Sequence, residues 1–200
     1  MLRYEKEATA MGYRTIVGID EAGRGPLAGP VVAAAVVLPT GFDLQGLTDS
    51  KKLTHSAREK FFPLIQKQAL AFGIAVVDEA VIDKINILQA SLLAMKLAVE
   101  KLPVSPDCLL IDGTHSIKYP VYQKTIIEGD SLSFSISAAS VLAKVTRDRL
   151  MDDYPNTFPQ YGFDRHKGYG TQLHRDMIKK FGPCPIHRKT FKGVREYLPA

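Results

Sequence analysis

The sequence has 200 residues and a formal net charge of +5, with 46% apolar and 24% charged residues, as in ordinary globular domains. Its longest apolar run covers residues 31–38, far short of the ~20 residues that span a bilayer. The charged amino terminus lacks the apolar segment of a signal peptide. We therefore expect a cytoplasmic, monomeric protein with no membrane contact. We predict a single domain over residues 1–200, with a core at about 13–155 and a basic extension at 156–200.

The positive charge is concentrated in the last quarter of the chain. Residues 144–200 contain 12 Lys or Arg and 6 Asp or Glu, whereas the other 143 residues contain 14 and 15. A basic segment on a neutral body indicates a polyanionic partner such as a nucleic acid. A basic surface that contacts only solvent explains the charge equally well.

The two cysteines, Cys108 and Cys184, are far apart in the sequence and form no C-x-x-C pair. Cys108 opens an apolar stretch, where a thiol behaves as a small hydrophobic group. Cys184 and His187 have the spacing of two zinc ligands, but a zinc site needs four and no companion pair is present. We therefore predict neither a zinc site nor a disulfide, and a reducing compartment is the simplest setting.

The predicted elements alternate between strands and helices. Short apolar or β-branched runs predict strands at residues 15–19, 31–38, 70–77, 109–112 and 124–127. Helical spacing and capping residues predict helices at 54–68, 79–102, 133–154 and 171–181, and residues 155–167 are predicted to form a loop. This order indicates an α/β domain with a mixed sheet and a small C-terminal helical extension.

Four carboxylates lie at or just after predicted strand ends: Asp20, Glu21, Asp112 and Asp130. If they converge at one edge of the sheet, their mutual repulsion raises their pKa values unless a cation neutralises them. Mg²⁺ and Mn²⁺ prefer such oxygen ligands. If the side chains instead point separately into solvent, no ion is needed, so convergence is a hypothesis that depends on the strand predictions.

A glycine-rich segment at residues 23–28 matches the dinucleotide-binding pattern G-x-G-x-x-A. That pattern must open a helix, because the helix N-terminus binds the pyrophosphate. Here Pro30 and a valine-rich strand follow, so we reject a dinucleotide site. Exposed backbone N–H groups in such a loop can still approach a sugar–phosphate chain closely.

Six segments resemble the motifs of bacterial ribonuclease HII and occur in the order of that family. They are IVGIDEAGRGPLAGPVVAAAV at 16–36, DSKKL at 49–53, LIDG at 110–113, EGD at 128–130, AASVLAKVTRD at 138–148 and HKGYGT at 166–171. The resemblance extends from about residue 13 to residue 191. The related ribonuclease HIII differs in its glycine loop and carries an extra amino-terminal domain, so it fits less well.

The resemblance implies a ribonuclease H-like fold, with a mixed five-stranded sheet flanked by helices. It implies an endonuclease that cleaves the RNA strand of RNA–DNA hybrids and incises duplex DNA at embedded ribonucleotides. The family's acidic residues fall on Asp20, Glu21, Asp112 and Asp130, and two Mn²⁺ or Mg²⁺ ions are expected during catalysis. Hydrolysis by metal-activated water leaves a 3′-hydroxyl and a 5′-phosphate.

The resemblance also assigns substrate contacts. It places recognition of the 2′-hydroxyl on the backbone of Gly23, Arg24 and Gly25 and on Tyr169. The alternative for Tyr169 is a ring that packs on its own extension. The candidate phosphate ligands are Arg24, Lys51 and Lys144. Asp148 is predicted to pair with Lys144 on the helix surface, at i,i+4, outside the site.

Two other functions remain as alternatives. One is a DNA-directed nuclease or strand-transfer enzyme on the same fold, and the other is a non-catalytic nucleic-acid-binding module. A metal-free ribonuclease would use paired histidines as acid and base. The candidates for that role, His115, His166, His174 and His187, show no evident pair, and we expect the last three at the surface or near DNA.

Overall fold

The computed structural model describes residues 1–42, 47 and 53–198. Its strands are β1 (Ile16–Ala22), β2 (Val31–Val37), β3 (Ala71–Val77), β4 (Cys108–Asp112) and β5 (Tyr122–Ile126). The α-helices among the described residues are α1 (Arg3–Ala10), α2 (His55–Gln68), α3 (Glu79–Ile85), α4 (Ile87–Glu100), α5 (Gly129–Leu132), α6 (Phe134–Asp153), α7 (Phe163–His166) and α8 (Gln172–Phe181).

The five strands form one mixed sheet in the order β3-β2-β1-β4-β5. The pairs β1–β2 and β2–β3 are antiparallel, whereas β1–β4 and β4–β5 are parallel. This confirms the predicted mixed sheet. The parallel pairing brings the carboxyl ends of β1, β4 and β5 to the same edge.

Helices cover both faces of the sheet. Ala33 and Ala35 of β2 pack in a core with α4, whereas Ala34 and Val36 pack on the opposite face with α2 and α6. All seven residues of β2 are buried, which explains its continuous apolar run. Helix α6 begins so close to β1 that a Cβ on Gly18 would lie 2.1 Å from the carbonyl carbon of Ser135.

The predicted helix over residues 79–102 is wrong as a single element, because it breaks at Asn86. This residue has φ +66° and caps α4, its side chain accepting a hydrogen bond from the Gln89 amide. Asn tolerates a left-handed φ better than most residues. Apolar side chains of α3 and α4 pack on the same core, so helical spacing alone did not reveal the break.

The predicted loop at 155–167 is also wrong. It contains α7 and two short 3-10 turns, Tyr154–Asn156 and Pro159–Tyr161. The buried rings of Tyr161 and Phe163 stack with their centroids 5.4 Å apart, so the extension has a small aromatic core of its own. Helix α1 was not predicted. No helix within residues 1–42 or 53–198 is long and apolar enough to cross a membrane.

Candidate functional site

Three of the four predicted carboxylates line one cavity of about 290 Å³ at the carboxyl ends of β1 and β4. They are Asp20, Glu21 and Asp112. The parallel register pairs Ile19 with Ile111, which places Asp20 and Asp112 at the same level on neighbouring strands. The local pattern of an apolar strand that ends in acidic residues therefore builds a shared anionic surface.

Burial and mutual repulsion set the protonation of this cluster. Burial, together with the charges of Glu21 and Asp112, raises the pKa of Asp20 well above its usual value. Burial also raises the pKa of Glu21; Arg24 opposes this shift, while Asp112 adds to it. The Arg24 guanidinium lies 3.3 Å from a Glu21 carboxylate oxygen. The cluster thus favours a bound cation or a proton.

Backbone amides orient two of these carboxylates. Asp20 Oδ1 accepts a hydrogen bond of 2.7 Å from the Glu21 amide, and Asp112 Oδ1 accepts one of 2.7 Å from the Gly129 amide. Ser140 of α6 also hydrogen-bonds Asp20. These contacts fix the direction of each carboxylate before any ligand binds.

Asp130 follows the fifth strand, as predicted, and lies on a short helix. Strand β5 ends at Ile126, and Glu128, with φ +55°, turns the chain into the short helix α5 that carries Asp130. Asp130 is buried and directly follows Gly129, whose amide binds Asp112. It therefore lies next to the carboxylate cluster but is not among the residues that line the cavity.

The glycine loop between β1 and β2 contributes Gly23 to the lining of the cavity. Gly23 has φ +102°, and a Cβ there would lie 2.2 Å from Arg147 Nε, so no other residue fits. A Cβ on Gly25 would lie 3.7 Å from the ring of Tyr169. The loop and this ring are therefore adjacent.

Tyr169 and Lys144 also line the cavity. The Tyr169 side chain is 43% exposed and lines the cavity, so it is not buried in the extension. Lys144 Nζ lies 5.9 Å from the ring centroid and 2.6 Å from Asp148 Oδ1. The predicted Lys144–Asp148 pair is confirmed, but Asp148 is buried and not on the helix surface. Lys51 lies outside the described residues.

Two residues at the cavity were missed by the sequence analysis. Ser140 belongs to the small-residue face of α6. It lies inside the AASVLAKVTRD segment, one of the six that resemble family motifs, and that position could have indicated a place in the site. Arg58 also lines the cavity from α2, where nothing distinguishes it from the other charged residues of that helix. Both bring hydrogen-bond donors to an acidic pocket.

Comparison with known proteins identifies the family. The family model described as ribonuclease HII matches residues 17–194, nearly the whole chain. The chain belongs to the ribonuclease HII family. A ribonuclease HII of Geobacter sulfurreducens is 61% identical over 195 residues, covering 98% of this chain and 90% of that protein. One of Syntrophotalea carbinolica is 58% identical over 197 residues, covering 98% and 94%.

Solved structures agree on the fold. The crystal structure of ribonuclease H2 from Pyrococcus horikoshii OT3 matches with a TM-score of 0.76 and 26% identity, covering 92% of this chain and 97% of that one. Bst ribonuclease HIII, in complex with Mn²⁺, matches with a TM-score of 0.69 and 17% identity, covering 92% and 68%. The predicted ribonuclease H-like fold is confirmed, and membership of the ribonuclease HII family makes the protein an endoribonuclease that acts on RNA–DNA hybrids.

The expected surface position of three histidines is wrong. His166, His174 and His187 are buried together in the C-terminal extension. The rings of His166 and His174 stack 4.4 Å apart, and Nε2 of His174 lies 3.0 Å from Nε2 of His187. Burial lowers the pKa of both His174 and His187 to about 4, so both rings are neutral at pH 7.

The hydrogen bonds of this cluster assign its protons. The backbone carbonyl of Tyr169 can only accept, so His174 Nδ1 donates to it over 2.9 Å. The remaining nitrogen, His174 Nε2, then accepts from His187 Nε2–H. Nδ1 of His187 accepts from the Cys184 amide and lies 3.1 Å from its Sγ. Burial raises the pKa of the Cys184 thiol to about 11, so the thiol is protonated at neutral pH.

Proposed function

We propose that the protein incises duplex DNA at embedded ribonucleotides, as well as cleaving the RNA strand of hybrids, with divalent ions bound by Asp20, Glu21, Asp112 and Asp130. One observation carries this proposal. Three carboxylates, Gly23 of the glycine loop and Tyr169 line the same cavity, so groups suited to ion binding and groups suited to ribose recognition face a single substrate position.

The donor chemistry of the cavity fits a hard divalent ion. Its carboxylate oxygens are the ligands that Mg²⁺ and Mn²⁺ prefer, and a bound ion would offset the repulsion that raises the pKa of Asp20. Two such ions activate water and stabilise the departing 3′-oxygen of a phosphodiester. In the unliganded arrangement, no three His, Cys, Asp or Glu side chains of the described residues surround one point. The Mn²⁺ complex of the similarly folded ribonuclease HIII supports the proposal.

Ribose recognition would use the glycine loop and the Tyr169 ring. Among the described residues, none accepts a hydrogen bond from the amides of Gly23, Arg24 or Gly25. These donors suit a phosphate oxygen or a 2′-hydroxyl, the group that distinguishes RNA from DNA. The Tyr169 ring, which lies beside Gly25, offers a face that can stack on a sugar or base.

The basic extension supports binding of a polyanion. The side chains of Lys179, Lys180, Lys189 and Lys192 are exposed on the extension that carries Tyr169. Such charges attract the phosphate backbone without regard to sequence and make the affinity dependent on salt. Lys144, which lines the cavity, and Arg24, whose guanidinium lies beside Glu21, are the candidates for closer phosphate contacts.

Three duplexes of one sequence test this function: an all-DNA duplex, the same duplex with one ribonucleotide, and an RNA–DNA hybrid. We expect cleavage of the last two with Mg²⁺ or Mn²⁺, and cleavage of the all-DNA duplex to be slower by roughly 10⁴-fold, since a site built to bind a hydroxyl rejects an analogue that lacks it. Equal cleavage of all three would indicate a DNA-directed nuclease. Binding without any cleavage would indicate a non-catalytic module.

A further inference from the structure

Two arginines that take no part in the proposed chemistry are completely buried behind the glycine loop. They are Arg147 of α6 and Arg188 of the extension. Within residues 1–42 and 53–198, neither forms an ion pair with an Asp or Glu. Buried guanidinium groups without a carboxylate are costly unless their N–H groups are satisfied by other acceptors.

The acceptors of Arg188 are four carbonyl groups, all in the glycine loop. Nη1 donates to the Arg24 carbonyl over 2.9 Å and Nε to that of Gly29 over 3.0 Å. Nη2 donates to the carbonyls of Gly23 and Pro30. One side chain from the far end of the sequence therefore contacts both the beginning and the end of the loop.

Arg147 joins the same loop to the segment that carries Tyr169. Its Nε and Nη2 donate to the carbonyls of Pro30 and Ala28 over 3.0 and 3.2 Å, and its Nη1 donates to the Lys167 carbonyl over 3.0 Å. A further bond of 2.8 Å runs from the Leu27 amide to the Gly168 carbonyl. The glycine loop and the segment that carries Tyr169 are thus connected through one guanidinium.

The bonds of Arg188 determine where the loop amides point. In a planar trans peptide the C=O and the following N–H point in opposite directions. Arg188 draws the carbonyls of Gly23 and Arg24 towards the interior, so the amides of Arg24 and Gly25 are directed away from it. These are two of the amides that lack an acceptor among the described residues.

We propose that Arg147 and Arg188 are positioning residues for ribose recognition, which hold the loop amides and Tyr169 in a fixed relation to each other. The inference rests on the proposed recognition of a ribonucleotide in duplex DNA. A neutral side chain cannot satisfy four carbonyls at once, and Lys offers an ammonium in place of the planar fork of guanidinium donors.

The test compares Arg147→Lys and Arg188→Lys with the wild-type protein in two measurements. The first is kcat/KM on the duplex with one ribonucleotide, and the second is the inhibition constant of the all-DNA duplex as a competitor. We expect kcat/KM to fall by roughly 10- to 100-fold, because small misplacement of binding groups is costly to catalysis. We expect the inhibition constant to stay within about twofold, because an all-DNA duplex has no 2′-hydroxyl to recognise.

Arg149→Lys is the matched control. Arg149 lies on the same helix, two residues beyond Arg147, but pairs with Glu59 at 2.6 Å and does not contact the loop, so both measurements should stay at wild-type values. Folded lysine variants with unchanged kcat/KM would overturn the proposal. The proposal would also be overturned if kcat/KM on the ribonucleotide duplex and affinity for the all-DNA duplex fell by the same factor. Failure of both variants to fold would overturn it as well, since the bonds would then serve general stability. A wild-type protein that does not prefer the ribonucleotide contradicts the proposed function itself, and this is visible before any variant is compared.

Discussion

Asp112→Asn is expected to lower kcat for duplex cleavage by at least ~10³-fold while the protein stays folded. The substitution removes a negative charge from the proposed ion-binding cluster. The amide oxygen of Asn can still accept the hydrogen bond that the Gly129 amide donates to Asp112, so the local backbone keeps its contact. The substitution also removes the part of the repulsion on Asp20 that comes from the charge of Asp112, and that repulsion raises the pKa of Asp20.

The measurement is kcat at saturating duplex in Mn²⁺ or Mg²⁺, together with thermal unfolding of each protein. Asp107→Asn is the control, because Asp107 immediately precedes β4 and also accepts backbone hydrogen bonds, from Arg14 and Thr15, at the opposite end of the strand. The control should keep the wild-type kcat. A folded Asp112→Asn protein with near wild-type kcat would show that Asp112 does not take part in the chemistry.

Tyr169→Ala is expected to slow cleavage at a lone ribonucleotide by roughly 10- to 200-fold. An aromatic ring that stacks on a sugar or base contributes ~1–3 kcal/mol, which corresponds to that change in rate. The ring is partly exposed in the cavity and lies beside Gly25, so its removal takes away one wall without touching a carboxylate contact. Ion binding, measured as the rise in melting temperature with Mn²⁺, should remain at the wild-type value.

Tyr169→Phe separates stacking from hydrogen bonding, because a small loss of rate indicates stacking and a large loss indicates a role for the hydroxyl. Tyr197→Ala is the matched control. Tyr197 is 42% exposed, close to the exposure of Tyr169, and lies in the short 3-10 turn near the end of the chain. Wild-type cleavage by folded Tyr169→Ala would contradict the assignment. Loss of the Mn²⁺ response would instead make Tyr169 a support of the carboxylate cluster.

Much of the sheet and part of the site could be predicted from the sequence because their signals are local. An apolar strand that ends in Asp20 and Glu21, and another that ends in Asp112, predict a shared edge once the strands are taken to be parallel. Asp130 was harder to place, since the turn at Glu128 and the short helix α5 depend on tertiary contacts. The break at Asn86 was hidden for a similar reason, because both flanking helices contact the same core.

The buried polar residues of the extension could not be predicted from composition. A basic segment suggests a solvated surface, yet Arg188 and His187 are fully buried within it. Their partners are backbone carbonyls and ring nitrogens, some of them more than a hundred residues away in the sequence, such as the Gly23 carbonyl for Arg188. Every residue has a backbone carbonyl, so an acceptor of this kind leaves no motif in the sequence.

Metal dependence of cleavage at a single embedded ribonucleotide, with both new ends mapped, tests the central claim most directly. We predict no cleavage of this duplex in excess chelator and full recovery when Mg²⁺ or Mn²⁺ is restored, with a 3′-hydroxyl and a 5′-phosphate at the cut. Undiminished cleavage after exhaustive metal removal, or a cut that leaves a 2′,3′-cyclic phosphate through attack by the 2′-hydroxyl, would contradict the account.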